Sequence, residues 1–226
     1  MEPSLYIVST PIGNLEDITL RALRVLSEVD FILCEDTRVT KKLLDKYKIN
    51  TPLISYHQHS KLAKIDKIVD LLKKENNLAL VTDAGTPGIS DPGNELISHL
   101  IKKDFDLRII PIPGPSAIAS ALSVAGFPAD EFLFLGFLPH KKGRQTMVKE
   151  IILTDKTVVV YESCHRIIKF LNELMDNGGQ DLRLVVCREL TKMFESVYRG
   201  APAEILAILK QAKTNTKGEF AVVISK

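Results

Sequence analysis

Short apolar runs rich in β-branched residues alternate with amphipathic stretches along the first half of the chain. The apolar runs occupy residues 5–9, 31–34, 78–82 and 107–112, and their length and composition predict β-strands. Apolar positions recur at spacings of three and four within residues 61–74, which predicts a helix with one apolar face. An earlier helix begins at Asp17 or Thr19, because either side chain can cap it. This alternation predicts an α/β fold with a mainly parallel sheet covered on both faces.

A proline-rich segment, residues 111–116, interrupts the alternation. Its prolines cannot continue a central strand, so we place a domain boundary there and predict two α/β domains, residues 1–114 and 115–226. In the second domain, Pro115 fits the first turn of a small-residue helix that Gly126 ends. Further strands are predicted at residues 132–137, 157–161, 182–187, 194–198 and 220–224, and helices at 166–175 and 203–212. Short connections predict that the last strands pair antiparallel.

The composition is that of an ordinary globular protein, with 45% hydrophobic and 26% charged residues. No apolar run approaches the ~18 residues that a membrane span needs. No basic residue precedes the short apolar stretch at the N-terminus, as one would in an export signal. We therefore expect a soluble, cytoplasmic protein. Cys34, Cys164 and Cys187 lie within or beside apolar runs without Cys-x-x-Cys spacing, which favours buried thiols over disulfides or zinc ligands.

The segment that follows residue 81 is a long loop with an unusual composition. Residues 82–93 read Thr-Asp-Ala-Gly-Thr-Pro-Gly-Ile-Ser-Asp-Pro-Gly and precede a helical pattern. Glycines give this backbone conformations closed to other residues, and prolines fix its remaining torsions. The loop is about twice the usual length of such connections, and long ordered loops are usually binding loops. We interpret it as a ligand-binding loop.

Four predicted strands of the first half end in loops rich in polar, glycine or proline residues. These loops are residues 10–14, 35–38, the segment from Asp83, and residues 113–116. Ligands of open parallel sheets bind beyond the carboxyl ends of the strands, so we expect the four loops to converge on one site near the domain boundary. Neither the dinucleotide fingerprint nor the phosphate-binding loop is present. The ligand therefore need not be a phosphate.

Charged residues near the strand ends supply further candidates. Glu35 and Asp36 adjoin Arg38, which predicts either an exposed ion pair or a polar cluster that orients a substrate. Residues 161–166 and 188–192 each place a carboxylate beside an arginine at a strand end. His57 and His59 lack a third ligand at a recognisable spacing, which disfavours a metal site. The net charge of +2 does not by itself indicate nucleic acid, and the basic runs at residues 41–42 and 140–144 fit solvated faces better than binding patches.

Taken together, these motifs closely resemble the bacterial ribosomal RNA small-subunit methyltransferase I family. The resemblance runs through residues 10–19, 35–38, 83–87, 90–93 and 113–117, and continues through 136–139, 161–162, 165–166, 188–192 and 218–219. It implies a tetrapyrrole-methylase-like fold of two α/β domains with S-adenosylmethionine in the cleft between them, in a homodimer. It also implies methyl transfer to the ribose 2′-oxygen of a cytidine in the decoding region of 16S ribosomal RNA. Many members continue into a helical extension, whereas this sequence ends at Lys226.

The resemblance also implies roles for individual residues. It assigns cofactor binding to Pro11, Ile12, Gly13, Asp83, Gly85, Thr86, Ile89, Ser116, Ala117, Tyr161 and Glu162. The chemistry needs an aligned ribose oxygen and a base that removes its proton, without a metal. The candidate bases are Glu35, Asp36, Glu162 and His165, among which the sequence does not choose. Substrate-binding candidates are Arg38, Arg166 and Arg188.

Two other functions are compatible with the sequence. A tetrapyrrole C-methyltransferase of the uroporphyrinogen or precorrin type would share the fold, because fold alone does not fix the substrate. A non-catalytic RNA- or cofactor-binding module would bind S-adenosylmethionine without turning it over. If the substrate is RNA, the low net charge predicts that the assembled small subunit is preferred to naked RNA. Small basic clusters such as Lys141, Lys142 and Arg144 would then suffice for docking.

Overall fold

The computed structural model describes residues 3–57, 62–103 and 106–226, and the chain divides into two units, one ending at Ser116 and the other beginning at Ala117. The strands of the first unit are β1 Ser4–Val8, β2 Phe31–Cys34, β3 Leu53–Ser55, β4 Leu78–Leu80 and β5 Arg108–Ile112. Its helices are a 3₁₀ turn at Leu15–Asp17, α1 Leu20–Glu28, α2 Thr37–Lys46, α3 Leu62–Lys73 and α4 Asn94–Lys102. Helix α3 matches the predicted amphipathic helix, of which Lys61 lies outside the described residues.

The first unit is built on a five-stranded sheet in the order β3-β2-β4-β1-β5. Every described pair in it is parallel, as predicted. Neighbouring residues of a strand point to opposite faces, and Ile32 and Leu33 of β2 are both fully buried in separate apolar clusters. Both faces of the sheet are therefore covered. Pro111 is part of β5, an edge strand, where a missing backbone N–H is tolerated.

Local caps explain where two of the first helices begin. Thr19, not Asp17, caps α1, since its hydroxyl accepts a hydrogen bond from the Ala22 N–H at 3.1 Å. Asp36 caps α2 by accepting from the Arg38 N–H at 2.8 Å. The polar sequence of α2 gave no helical prediction, and β3 is too short for a recognisable pattern. Side-chain caps of this kind satisfy backbone donors that the helix itself leaves unpaired.

The second unit holds another five-stranded sheet, in the order β6-β7-β10-β8-β9. Its strands are β6 Phe132–Phe137, β7 Thr157–Ser163, β8 Arg183–Arg188, β9 Ser196–Gly200 and β10 Glu219–Ser225. Its helices are α5 Ala117–Ala125, α6 Arg144–Leu153, α7 Ile167–Asp176 and α8 Pro202–Gln211. Among the described strand pairs of this second sheet, only β6 and β7 are parallel, and β7, β10, β8 and β9 pair antiparallel. The predicted antiparallel pairing of the last strands is confirmed.

Two expectations for the second half were wrong or incomplete. Pro115 does not lie in the first turn of a helix, because α5 begins two residues later, at Ala117. Periodicity locates a helix but does not fix its end, which depends on local hydrogen bonds. Helix α6 was not predicted, since its first residue, Arg144, is a buried charge at a position that a helical pattern would give to an apolar side chain.

Candidate active site

The loops after β1 and β4 are joined by a short antiparallel bridge. The Thr10 N–H donates to the Gly85 carbonyl at 2.9 Å, and the Gly85 N–H donates to the Thr10 carbonyl at 3.0 Å. The Thr10 hydroxyl also donates to the Thr82 carbonyl at 3.0 Å. A second contact joins the Ser9 and Thr86 hydroxyls at 2.8 Å. The first loop is therefore fixed against the start of the long loop.

The other two predicted loops meet the same place. The Asp36 N–H, at the end of β2, donates to Asp83 Oδ1 at 3.1 Å. Gly114, after β5, packs so closely on Ser9 that a Cβ there would lie 3.0 Å from the Ser9 Cβ. The expected convergence of the four loops is confirmed within the first unit.

The long loop holds its shape through its own backbone. Gly85 has a φ of +82°, in the left-handed region that favours glycine. Gly88 has a φ of +83°, and a Cβ there would lie 2.7 Å from Asn94 Oδ1. The Asn94 amide donates to the Gly88 carbonyl at 2.8 Å, which connects the loop to the first turn of α4. Two of the loop's glycines thus serve a backbone that other residues adopt with strain.

Asp36 and Arg38 form both of the arrangements that their sequence predicted. The Arg38 guanidinium pairs with the Asp36 carboxylate, and the arginine side chain is 87% exposed. The same carboxylate caps α2 through the Arg38 backbone N–H. These hydrogen bonds to the Arg38 side chain and backbone hold the pKa of Asp36 well below its usual range. A carboxylate so strongly stabilised in its charged form is a weak base.

Asp91, which the sequence did not single out as a base, has a pKa shifted in the opposite direction from that of Asp36. Burial, helped by the nearby charges of Glu35 and Asp83, raises the pKa of Asp91 to about 6. Glu35 itself is half-buried at the end of β2. Carboxyl groups whose pKa is shifted toward neutrality are frequent at functional sites. No sequence pattern reveals such a shift, because it depends on burial and on charges from other parts of the chain.

The remaining candidates of the first unit lie on the same loops. Two of them, Pro11 and Gly85, are buried, and Thr86 is half-buried. The exposed ones are Gly13, Asp83 and Ile89. Ile12 is half-buried, and its methyl group would lie 3.7 Å from a Cβ at Gly85. Ser116 ends the first unit and Ala117 begins the second, and both are half-buried.

The other five candidates lie in the second unit, where Glu162 is at the centre of a buried ion network. Its carboxylate accepts hydrogen bonds from Arg144 Nη2 at 3.1 Å and from the Ser163 N–H at 2.9 Å, and it forms an ion pair with Arg166, whose Nε lies 2.8 Å away. The side chain of Glu162 is fully buried. Arg166 also donates to the Leu138 carbonyl at 2.8 Å. Glu162 and Arg166 thus connect the end of β7 to the segment after β6.

Arg144 does not belong to a basic surface, and the expectation that it helps to dock RNA is wrong. It is 2% exposed, and its Nε donates to Glu173 Oε2 at 2.7 Å. Arg144 Nη1 donates to the Pro139 carbonyl at 3.3 Å. A charge survives burial only when it is paired and hydrogen-bonded, and here two carboxylates supply the pairing. Lys141 and Lys142 remain exposed beside it.

Tyr161, next to Glu162 on β7, belongs to a small aromatic cluster. Its ring centre lies 5.0 Å from that of Phe134 in an edge-to-face arrangement and 5.5 Å from that of Phe137. Phe137 is 54% exposed. His165 is exposed, one position before the residue that caps α7. The cluster gives the end of β6 and β7 an aromatic surface.

Arg188 is buried at the end of β8, where it holds two neighbouring segments. It donates to the Lys217 carbonyl at 2.6 Å and to the Phe194 carbonyl at 3.0 Å. The adjacent Glu189 pairs with Lys192 at 3.0 Å rather than with Arg188. The guanidinium of Arg188 is therefore engaged inside the second unit, and its role in substrate binding stays a prediction.

The described residues show nothing that adds a metal or a membrane to this picture. They contain no group of three or more His, Cys, Asp or Glu arranged to hold a metal ion. His57 Nε2 lies 2.9 Å from the Ser55 hydroxyl, and His59 lies outside the described residues. The three cysteines are free thiols, and burial raises the pKa of Cys187 to about 11. Within the described chain, no helix is long and apolar enough to span a membrane.

The sequence and the fold were compared with those of known proteins. The sequence model of tetrapyrrole (corrin/porphyrin) methylases matches residues 4–206. Solved structures with a similar fold include cobalt precorrin-4 methyltransferase, with a TM-score of 0.70 and 19% identity over 98% of this chain and 94% of that one. Diphthine synthase has a TM-score of 0.72 and 16% identity over 99% of this chain and 90% of that one. At such low identity these likenesses show the fold alone.

Curated relatives are far more similar in sequence. The "Ribosomal RNA small subunit methyltransferase I" of Thermotoga maritima is 42% identical over 98% of this chain and 97% of its own. The protein of the same name from Escherichia coli O157:H7 is 43% identical over 97% of this chain and 77% of its own. The chain therefore belongs to the ribosomal RNA small subunit methyltransferase I family of the tetrapyrrole methylases.

Proposed function

We propose that this protein uses S-adenosylmethionine to methylate the ribose 2′-oxygen of a cytidine in the decoding region of 16S ribosomal RNA. The observation that carries the proposal is the near full-length identity of 42–43% to relatives named for methylation of small-subunit ribosomal RNA. The cytidine and its 2′-oxygen rest on the motif resemblance. In the same way, we propose a cytoplasmic homodimer whose RNA substrate is part of the small subunit.

The residues around the converged loops fit this cofactor. S-adenosylmethionine supplies, when bound, an electrophilic methyl group on a positively charged sulfonium. The carboxyl groups of Glu35 and Asp83 lie near enough to Asp91 for their charges to raise its pKa. Their negative potential suits a cationic ligand. We assign its binding to the loops at residues 11–13 and 83–89 and to Ser116, Ala117 and Tyr161.

The geometry ranks the candidate bases. Asp36 is a weaker base because of its bonds to Arg38, and Glu162 already accepts two hydrogen bonds and is paired with Arg166. We therefore propose that one of Glu35, Asp91 and His165 accepts the ribose proton. A positioned base contributes about 10²- to 10⁴-fold to the rate. Alignment of the oxygen by the enclosing loops supplies a further part of the barrier lowering.

The three candidate arginines divide in the same way. Arg38 is 87% exposed beside the converged loops, so its guanidinium is accessible to a phosphate of the RNA. Arg166 and Arg188 donate to groups of the second unit. We propose that Arg38 contacts RNA, and that Arg166 and Arg188 position the segments whose backbone carbonyls accept their hydrogen bonds. Phosphate contacts of this kind set register and orientation rather than sequence preference.

A tetrapyrrole C-methyltransferase is the second candidate, because proteins with that activity have the same fold. They are only 18–19% identical to this chain, and fold alone does not fix a substrate. A cofactor-binding module without turnover is the third. The proposed function is favoured because the closer relatives carry the ribosomal RNA name.

The three candidates are separated by one labelled-methyl experiment. The protein is incubated with methyl-labelled S-adenosylmethionine and, in parallel, with small subunits that lack the modification, with protein-free RNA of the same sequence, and with a uroporphyrinogen-type acceptor. We expect label in the RNA of the small subunits, with a much lower rate on protein-free RNA. Label only in the tetrapyrrole would contradict the proposal. Cofactor binding without transfer to any acceptor would favour the non-catalytic module.

A further inference from the structure

A small pocket in the first unit has four polar residues in its lining, and the hydroxyls of two of them are not used by the fold. Thr10, Thr40, Thr82 and Asp83 line it. Thr40 and Thr82 are 4% and 3% exposed, yet within the described chain neither hydroxyl makes a hydrogen bond of normal geometry. The Thr82 hydroxyl lies near the Asp91 carboxyl and that of Thr40 near the Cys34 thiol. Buried hydroxyls without a partner are unfavourable unless water or a ligand satisfies them.

The walls of the pocket are apolar and partly open to solvent. They are formed by Pro11, Leu15, Val39 and Leu43. Leu15 and Val39 remain 37% and 38% exposed, although both are large apolar side chains. Apolar walls with a few convergent polar groups at the base are typical of small-molecule sites. The pocket thus combines a surface for a flat apolar group with hydrogen-bonding groups for its edge.

The size of the pocket limits what enters it. Its volume is about 50 Å³, and a buried water needs roughly 10–15 Å³ on this measure. The space therefore accepts three to five heavy atoms, which is the hydrogen-bonding edge of a nucleobase and not a whole base. Cytosine presents an amino donor beside ring and carbonyl acceptors on that edge. A threonine hydroxyl both donates and accepts, and the Asp83 carboxylate accepts from an amino group.

We propose that this pocket binds the Watson–Crick edge of an unstacked cytosine of the RNA substrate, an inference that rests on the proposed function. Sequence-specific RNA recognition usually reads splayed bases on this edge. The exposed guanidinium of Arg38 lies one residue before Val39 of the pocket wall. A cation beside the pocket suits a nucleotide that carries a phosphate, which the adenosine of the cofactor does not.

The test uses Thr40→Val and Thr82→Val, which remove a hydroxyl and keep the shape of the side chain. Thr51→Val is the matched control, because its hydroxyl is bonded to the Leu26 carbonyl at 2.6 Å and it does not line the pocket. Three quantities are measured for each variant: the melting temperature, the Kd of S-adenosylhomocysteine by calorimetry, and kcat/KM on small subunits. The subunits carry either cytidine or uridine at the methylated position.

We expect the pocket variants to melt no lower than the wild type, because the hydroxyls that they lose are buried and make no hydrogen bond of normal geometry within the described chain. Their Kd for S-adenosylhomocysteine should stay within about twofold, while kcat/KM on cytidine subunits falls about 3- to 10-fold, the value of one neutral hydrogen bond. The preference for cytidine over uridine should fall with it, and Thr82→Ser should restore it. Thr51→Val should leave this preference unchanged.

Three results would overturn the inference. Pocket variants with wild-type kcat/KM and wild-type preference for cytidine would show that the hydroxyls do not contact the base. A Kd for S-adenosylhomocysteine that rises as much as kcat/KM falls would assign the pocket to the adenine of the cofactor. Failure of the wild type to methylate either subunit would refute the proposed function itself, and the inference with it.

Discussion

Replacement of Arg144 by methionine tests whether the buried ion network holds the second unit together. The guanidinium makes three hydrogen bonds, with Glu173 at 2.7 Å, Glu162 at 3.1 Å and the Pro139 carbonyl at 3.3 Å. Methionine fills much of the same volume but leaves both carboxylates short of a donor. Removing one partner of a buried ion pair typically costs about 3–5 kcal/mol, because the other charge remains in the interior.

The surroundings of the two carboxylates place the expected loss at the lower end of that range. Glu162 keeps Arg166 and the Ser163 N–H. Glu173 keeps the Gln145 amide at 3.1 Å and Lys169 at 3.7 Å. We therefore expect Arg144→Met to lower the free energy of unfolding by about 3 kcal/mol. Glu173→Gln in the same chain should recover part of this loss, because it removes the buried charge of one of the two carboxylates that lose Arg144.

Urea unfolding, followed by circular dichroism, measures this change as a shift of the midpoint at an unchanged slope. Arg24→Met is the control, since Arg24 pairs with Glu28 at 2.7 Å on the exposed face of α1. Such exposed helical pairs contribute only about 0.3–0.5 kcal/mol. If Arg144→Met shifted the midpoint no more than Arg24→Met, the network would not stabilise the fold as argued.

Three further changes test the converged loops. The pKa of Asp91 is raised from 3.8 to about 6 in the folded protein, so the free energy of unfolding should fall as the pH rises from about 4 to 6. Asp91→Asn should remove this fall, which we expect to be about 1–2 kcal/mol after solvent screening. A wild-type free energy of unfolding that stays constant between pH 4 and 6.5 would refute it. Gly85→Val should weaken S-adenosylhomocysteine binding measured by calorimetry in a variant that still folds, because φ at this position is +82°; unchanged affinity would remove the loop from the site. Arg38→Ala should lower kcat/KM on small subunits more than it lowers cofactor affinity, whereas equal losses would place Arg38 in the cofactor site.

The architecture of the first unit was largely predictable, because its central strands β1, β2 and β4 are largely buried and read as continuous apolar runs. Strand-end chemistry also predicted that the four loops meet, since parallel strands place their carboxyl ends along one edge. Strand β3, with three residues, is too short for a period to be read. Helix α2 has a polar sequence in which only the cap at Asp36 marks its start.

The electrostatics of the site were not predictable from the sequence, for two separate reasons. Arg144 lies in a run of basic residues, and such runs are usually solvated, so nothing marked it as buried. Its two partners, Glu162 and Glu173, are distant in the chain and meet it only in the folded unit. The raised pKa of Asp91 likewise depends on burial and on Glu35, which lies on another loop. These charges come together only in the folded chain.

The most direct test of the proposed function is the position of the transferred methyl group. Small subunits that lack the modification are methylated with labelled cofactor, and their RNA is hydrolysed with alkali, which cleaves the chain after every free 2′-hydroxyl and spares a methylated one. We expect label in a single alkali-resistant dinucleotide whose 5′ nucleoside is a cytidine of the decoding region. Label recovered in alkali-labile mononucleotides, as a methyl group on a base, would contradict it.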